Sequence, residues 1–179
     1  VTAVNTSCGP VKGDLFVVAL GVFSPALSRQ LGISLPIYPV KGYSVTLPAA
    51  NPDLLPRFGG VDEDNLLAYC PMGNRLRITA TAEIGSYSTH HRPSDFRVML
   101  AKTRDLMPRA AEFSKPDYWA GLRPMTPTGL PLIGRTPWSN VWLNTGHGHM
   151  GWTMSCGSAR ILADLIAGQH PQIPLDGMD

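Results

Sequence analysis

The apolar positions fall into short runs with different periods. Leu15–Leu20 is continuous and closes on Gly21, the pattern of a strand buried on both faces. Val1–Asn5 reads as another strand, and Cys8-Gly-Pro and Lys12-Gly-Asp14 as turn punctuation. Ser24-Pro25 predicts a short helix ending near Gly32, with serine as N-cap and proline at the first helical position. Further on, Arg75, Arg77 and Thr79 alternate with Leu76, Ile78 and Ala80, the period of a strand with one solvated face. With Leu66–Cys70 and the turn Met72-Gly-Asn74 they predict a hairpin. Ser94 ahead of Phe96, Met99, Leu100, Thr103 and Met107 predicts an N-capped helix that Pro108 stops.

Ile37–Lys41 and Tyr43–Leu47 flank Gly42, which predicts a strand with a bulge. Asn51–Gly60 and Pro124–Pro137 read as loops, and Tyr118–Leu122 and Val141–Asn144 as strands. A helix is expected from about Trp152 to Ala167, ended by Gly168 and Pro171. The fold class is therefore α/β plus α+β. Residues 1–36 and 124–179 form α/β layers, and residues 37–123 an inserted antiparallel sheet with one helix. Val1 follows no initiator Met and reads as the middle of a strand, so the 179 residues are expected to be part of a longer chain.

Composition narrows this. Eighteen glycines and seventeen prolines make tight turns frequent and a long helical bundle unlikely to form. A net charge of +2, scattered along the chain, gives no footprint for nucleic acid. The three cysteines, Cys8, Cys70 and Cys156, are too few for a disulfide framework and read as reduced, cytoplasm-facing thiols. The longest apolar run, Leu15–Phe23, falls short of the ~18 residues a membrane span needs, which leaves peripheral attachment open. His90 and His91 read as solvated loop residues, and Asp62, Glu63 and Asp64 as a solvated acidic loop.

Gly146-His-Gly-His-Met-Gly151 has the form G-x-G-x-x-G between a predicted strand and a predicted helix. A Rossmann unit needs a further parallel strand after that helix. Gln169–Asp179 is short and interrupted by Pro171 and Pro174, so no such unit closes here. What remains is local: glycines that let a ligand approach the backbone, and a helix N-terminus behind them suited to an anion or an electron-rich ring. A tight strand–helix connection is the alternative. His147 and His149 lack a third ligand nearby in sequence, so no metal site is expected.

Trp119-Ala-Gly-Leu-Arg-Pro-Met-Thr-Pro-Thr-Gly-Leu-Pro-Leu-Ile-Gly134 and Leu143-Asn-Thr-Gly-His-Gly-His-Met-Gly-Trp-Thr-Met-Ser-Cys-Gly157 resemble the carboxyl half of the FAD-dependent amino acid oxidases and dehydrogenases. Pro39-Val-Lys-Gly-Tyr-Ser44 and Val17-Val-Ala-Leu-Gly21 fit the same family in the same order, with the bacterial D-amino acid dehydrogenase small subunits the nearest likeness. The resemblance implies the later part of a Rossmann-like FAD-binding domain with an antiparallel substrate domain inserted. It implies FAD as cofactor, with Gly146, His147, Gly148, His149, Met150, Gly151, Trp152 and Thr153 along the flavin, Ala19 and Gly21 close to it, and Val1 near the adenine. Arg123 matches the arginine that grips the substrate carboxylate, and His149 a second substrate contact. Tyr43 and Tyr69 are candidate hydroxyl partners, although the family's tyrosine aligns with Ala68.

The implied reaction is oxidation of a D-amino acid to a 2-oxo acid and ammonia, with electrons passed to a respiratory acceptor. The implied setting is the cytoplasm, with a peripheral seat on a bacterial inner membrane. A glycine or sarcosine oxidase of the same family, and an inactive fragment lacking its dinucleotide-binding half, are the alternatives.

Overall fold

The computed structural model describes residues 1–178. In chain order the elements are β1 (Ala3–Thr6), β2 (Gly9–Lys12), β3 (Phe16–Val18), α1 (Ser24–Arg29), β4 (Tyr38–Pro48), β5 (Gly60–Asp62), β6 (Leu67–Met72), β7 (Arg75–Ile84), α2 (Arg97–Leu106), β8 (Asp117–Met125), β9 (Leu132–Arg135), β10 (Val141–Thr145) and α3 (Gly151–Ile166). The chain divides into two compact units. The first joins Val1–Pro39 to the segment from Arg123 onward, and the second is Val40–Leu122.

In the first unit β10 is the central strand of three, parallel to β3 and antiparallel to β9. Both faces of β10 are covered, which is why Val141-Trp-Leu143 is an unbroken apolar run. Trp142 packs with Ile133, Ile161 and Leu162 of β9 and α3. Val141 and Leu143 face the other way, with Val18, Phe16, Leu27 and Leu31. β3 departs from the expected doubly buried strand: Val18 is buried, but Leu15, Val17 and Leu20 are about half exposed. Its only ladder partner among the described residues is β10, so the run is apolar without being enclosed. β2 completes a hairpin with β1 inside the stretch read as turns, and β9 forms within the expected Pro124–Pro137 loop.

Ser24 does not cap α1 as expected. It lies inside the helix, after a 3-10 turn over Gly21–Phe23, and its Oγ accepts the Leu20 N–H at 3.1 Å. Buried serine and threonine then tie two strand ends together: Ser24 Oγ lies 2.7 Å from Thr145 Oγ1. The carboxyl ends of the parallel strands β3 and β10 are thus held side by side, the place where open α/β sheets bind ligands.

The second unit is a five-stranded antiparallel sheet in the order β5-β6-β7-β4-β8. The β4–β7 register shifts between Gly42 and Tyr43, at the predicted bulge. Leu76 and Ile78 are buried while Arg75 and Arg77 are exposed, as the alternation requires. α2 and the 3-10 turn before it close the inner face through Met99 and Phe96, with Phe96 in edge contact with Tyr43. Ser94 is not its cap; it sits in a 3-10 turn whose start is closed by the Asp95 carboxylate accepting the Arg92 N–H at 2.8 Å.

Candidate functional site

The first unit gathers most of the sequence candidates at one place. β10 ends at buried Thr145, and the chain then turns through buried Gly146 and His147–Met150 into α3. Gly146 and Gly148 adopt φ of +78° and +57°, left-handed conformations that favour glycine. The segment after Arg123 runs against this turn. Pro124 O accepts the Gly148 N–H at 3.0 Å. A Cβ on Gly146 would stand 2.8 Å from Thr126 Cγ2, and one on Gly148 would stand 2.9 Å from Met125 Sδ. The Pro124 ring is also the nearest group to Gly21, on the loop after β3. Ala19–Gly21, Arg123–Thr126 and Gly146–Gly151 therefore form one assembly.

α3 begins at Gly151 without a side-chain cap, and the amides of Gly151, Trp152 and Thr153 find no acceptor among the described residues. These donors and the helix dipole give the turn a positive face. Met150 is 42 % and Trp152 92 % exposed, so the approach to those donors is apolar and open. Arg123 is half-buried and forms no salt bridge among the described residues, leaving its guanidinium free for a ligand anion. His149 is exposed on the same turn.

His147 differs from its exposed neighbours. It is half-buried, with Nε2 2.9 Å from the Oγ of buried Ser158, one turn and more into α3. Burial pushes its imidazole below the ordinary value of 6.5. The unfolded chain therefore takes up a proton near pH 6.5 that the folded chain refuses until a lower pH. The associated stability is complete above that value and is lost as the pH falls toward the folded one. The denaturant midpoint of the full-length protein is accordingly expected to drop between pH 7.5 and 5.5, and less so in His147→Gln. Equal drops in the two proteins would contradict this.

The other candidates lie elsewhere. Val1, expected near the adenine, is at the amino end of β10, where Asn140 Nδ2 donates to its carbonyl. In the second unit Tyr43 is buried and its hydroxyl donates to the Glu83 carboxylate, which also pairs with Lys41 Nζ at 3.2 Å. Those two bonds, Tyr43 first, hold the Glu83 carboxyl below its usual range. Tyr69 packs against the core of that unit, and Ala68 occupies the opposite face of β6. Sequence reasoning missed Thr145, Thr126 and Ser158, and gave Ser24 only a capping role. Small hydroxyl residues carry no pattern of their own, and the approach of distant segments gives these four their contacts.

The matching family model, described as FAD dependent oxidoreductase, covers residues 1–165. The chain belongs to the FAD dependent oxidoreductase family. Within that family it is 51% identical over 178 residues to the D-amino acid dehydrogenase 2 of Mesorhizobium japonicum, covering 99% of this chain and 43% of that protein. It is 46% identical over 178 residues to the D-amino acid dehydrogenase of Paramagnetospirillum magneticum, covering 99% of this chain and 42% of the relative. The chain thus spans less than half the length of these relatives. Among solved structures, glycine oxidase from Geobacillus kaustophilus superposes with a TM-score of 0.88 at 27% identity, over 99% of this chain and 48% of that one. The α/β fold with mixed and antiparallel sheets is that of the family.

Proposed function

We propose that the full-length protein is an FAD-dependent D-amino acid dehydrogenase, with the first unit supplying the flavin-facing turn and the carboxylate-binding arginine. The observation that carries this reading is the packing of Pro124–Thr126, the segment directly after Arg123, along a glycine turn that leads into an uncapped helix N-terminus. The residues present fit a flavin edge. Side chains at Gly146 and Gly148 would strike Thr126 and Met125 and displace the turn, and the open amides at the start of α3 suit an electron-rich carbonyl. His147 to Thr153 would line that edge, with Ala19 and Gly21 beside it. The rest of the full-length protein carries the pyrophosphate-binding fingerprint in this reading.

When bound, FAD supplies a two-electron acceptor for the hydride from the substrate Cα. The chain's own contribution is orientation. The Arg123 fork binds the carboxylate bidentately and fixes the direction of the Cα–H bond. His149 borders the same turn and shapes the polar side of the pocket. Water then converts the imino acid product to a 2-oxo acid and ammonia. The relatives named as dehydrogenases support an electron acceptor other than oxygen. No helix among the described residues is long and apolar enough to cross a membrane. A respiratory acceptor would then be reached from a peripheral seat on a bacterial inner membrane.

The test is turnover by the full-length, flavin-loaded protein of D-alanine, L-alanine, glycine and sarcosine, with a dye or with O2. D-alanine oxidation with the dye is expected to dominate. Preference for glycine or sarcosine with O2 would favour the oxidase reading that the glycine oxidase likeness raises. Absence of bound flavin and of turnover would refute both.

A further inference from the structure

The imidazole of His147 joins the two ends of the glycine turn, a role that lining a flavin edge does not require. Its backbone carbonyl accepts the Met150 N–H at 3.1 Å, closing the turn on itself. Its side chain crosses to Ser158, a buried residue eleven positions later on α3. A Cβ on Gly151 would meet His147 Cβ at 3.3 Å, so glycine at the first helical position lets the histidine lie against the start of the helix. Among the described residues Ser158 Oγ has no other hydrogen-bond partner. Among the described residues, the turn's backbone hydrogen bond to a distant segment is that of the Gly148 N–H to Pro124 O.

We propose that His147 is a positioning residue: through Ser158 it braces the Gly146–Gly151 turn against α3 and fixes the aim of the helix's first-turn amides. The functional half rests on the flavin-binding reading above; the structural half does not. Donors aimed at developing charge act through alignment, and a loosened turn points them less well. The brace therefore governs how strongly reduced, electron-rich flavin is stabilised over oxidised flavin.

The experiment uses the full-length protein with His147→Ala, His147→Gln and Ser158→Ala. Glutamine places an amide nitrogen where Nε2 stands and retains the reach to Ser158. Hydrogen exchange at the Gly148 and Met150 amides is expected to quicken about tenfold in His147→Ala and in Ser158→Ala, the loss of one bracing hydrogen bond, and to stay near wild type in His147→Gln. The midpoint potential of bound FAD, read against reference dyes, is expected to move to more negative values in the first two variants and to recover in the third. Should His147→Ala not fold, Ser158→Ala carries both measurements. Unchanged exchange in the variants overturns the brace. Raised exchange with an unchanged potential overturns its effect on the cofactor. A wild-type protein that binds no flavin refutes the flavin reading, while the exchange measurement still decides the brace.

Discussion

Replacing Arg123 by alanine in the full-length, flavin-loaded protein is expected to lower kcat/KM for a D-amino acid by at least about thirtyfold. A charge-assisted pair that loses one partner in a desolvated site costs about 2–5 kcal/mol, and each 1.4 kcal/mol is a factor of ten. Both kcat and KM are expected to suffer, because the same fork that holds the carboxylate also sets the Cα–H direction. Arg123→Lys keeps the charge but loses the planar fork, so it is expected to recover binding more than kcat. The stability cost should be small, since Arg123 is half-buried and forms no salt bridge among the described residues. Steady-state kinetics with a dye acceptor and a denaturant midpoint check both statements. A variant with unchanged kcat/KM would remove Arg123 from substrate binding, and a variant that binds substrate normally but melts early would make it a structural residue.

The elements legible in the sequence were those with an unshared pattern. The β6–β7 hairpin declared itself through alternation and its Gly73-Asn74 turn, and the β4 bulge through Gly42. β2, β5 and β9 were not legible. They are three or four residues long, and Gly9-Pro10, Gly60 and Gly134 punctuate them with turn residues, so only their ladder partners make them strands. Caps failed for a related reason. Ser24 and Ser94 stand where a cap is expected, but a 3-10 turn precedes one helix and includes the other serine, shifting the true helix start past it. In the candidate site the glycine turn was legible, because Gly146 and Gly148 take the positive φ that favours glycine. Thr126 and Ser158 were not, because their importance comes from the segment that approaches them.

Thr126 makes the second large effect specific to one glycine. Gly146→Ala is expected to destabilise the protein by roughly 2–4 kcal/mol, adding a left-handed conformation to overpacking in a tight site. The new methyl at φ +78° meets Thr126 Cγ2 at 2.8 Å, and Thr126 is not free to rotate away. It is buried, and its Oγ1 donates to Leu130 O at 2.7 Å. The turn must yield instead, which displaces the start of α3 and is expected to lower the amount of FAD retained per chain. Gly148→Ala is the internal comparison. Its φ is also positive, but the group in the way is the Met125 thioether, whose flexible side chain can repack, so a loss of only about 1 kcal/mol is expected. Thr126→Ser removes the obstructing methyl and keeps the hydroxyl. The double variant Gly146→Ala/Thr126→Ser should therefore be more stable than the two single effects added together predict. Strict additivity in that cycle, measured by denaturant midpoints, would mean that the strain lies in the backbone of the turn alone. Recovery would instead show Thr126 and the glycine turn fitting as one surface, the contact that ties the segment after Arg123 to the start of α3.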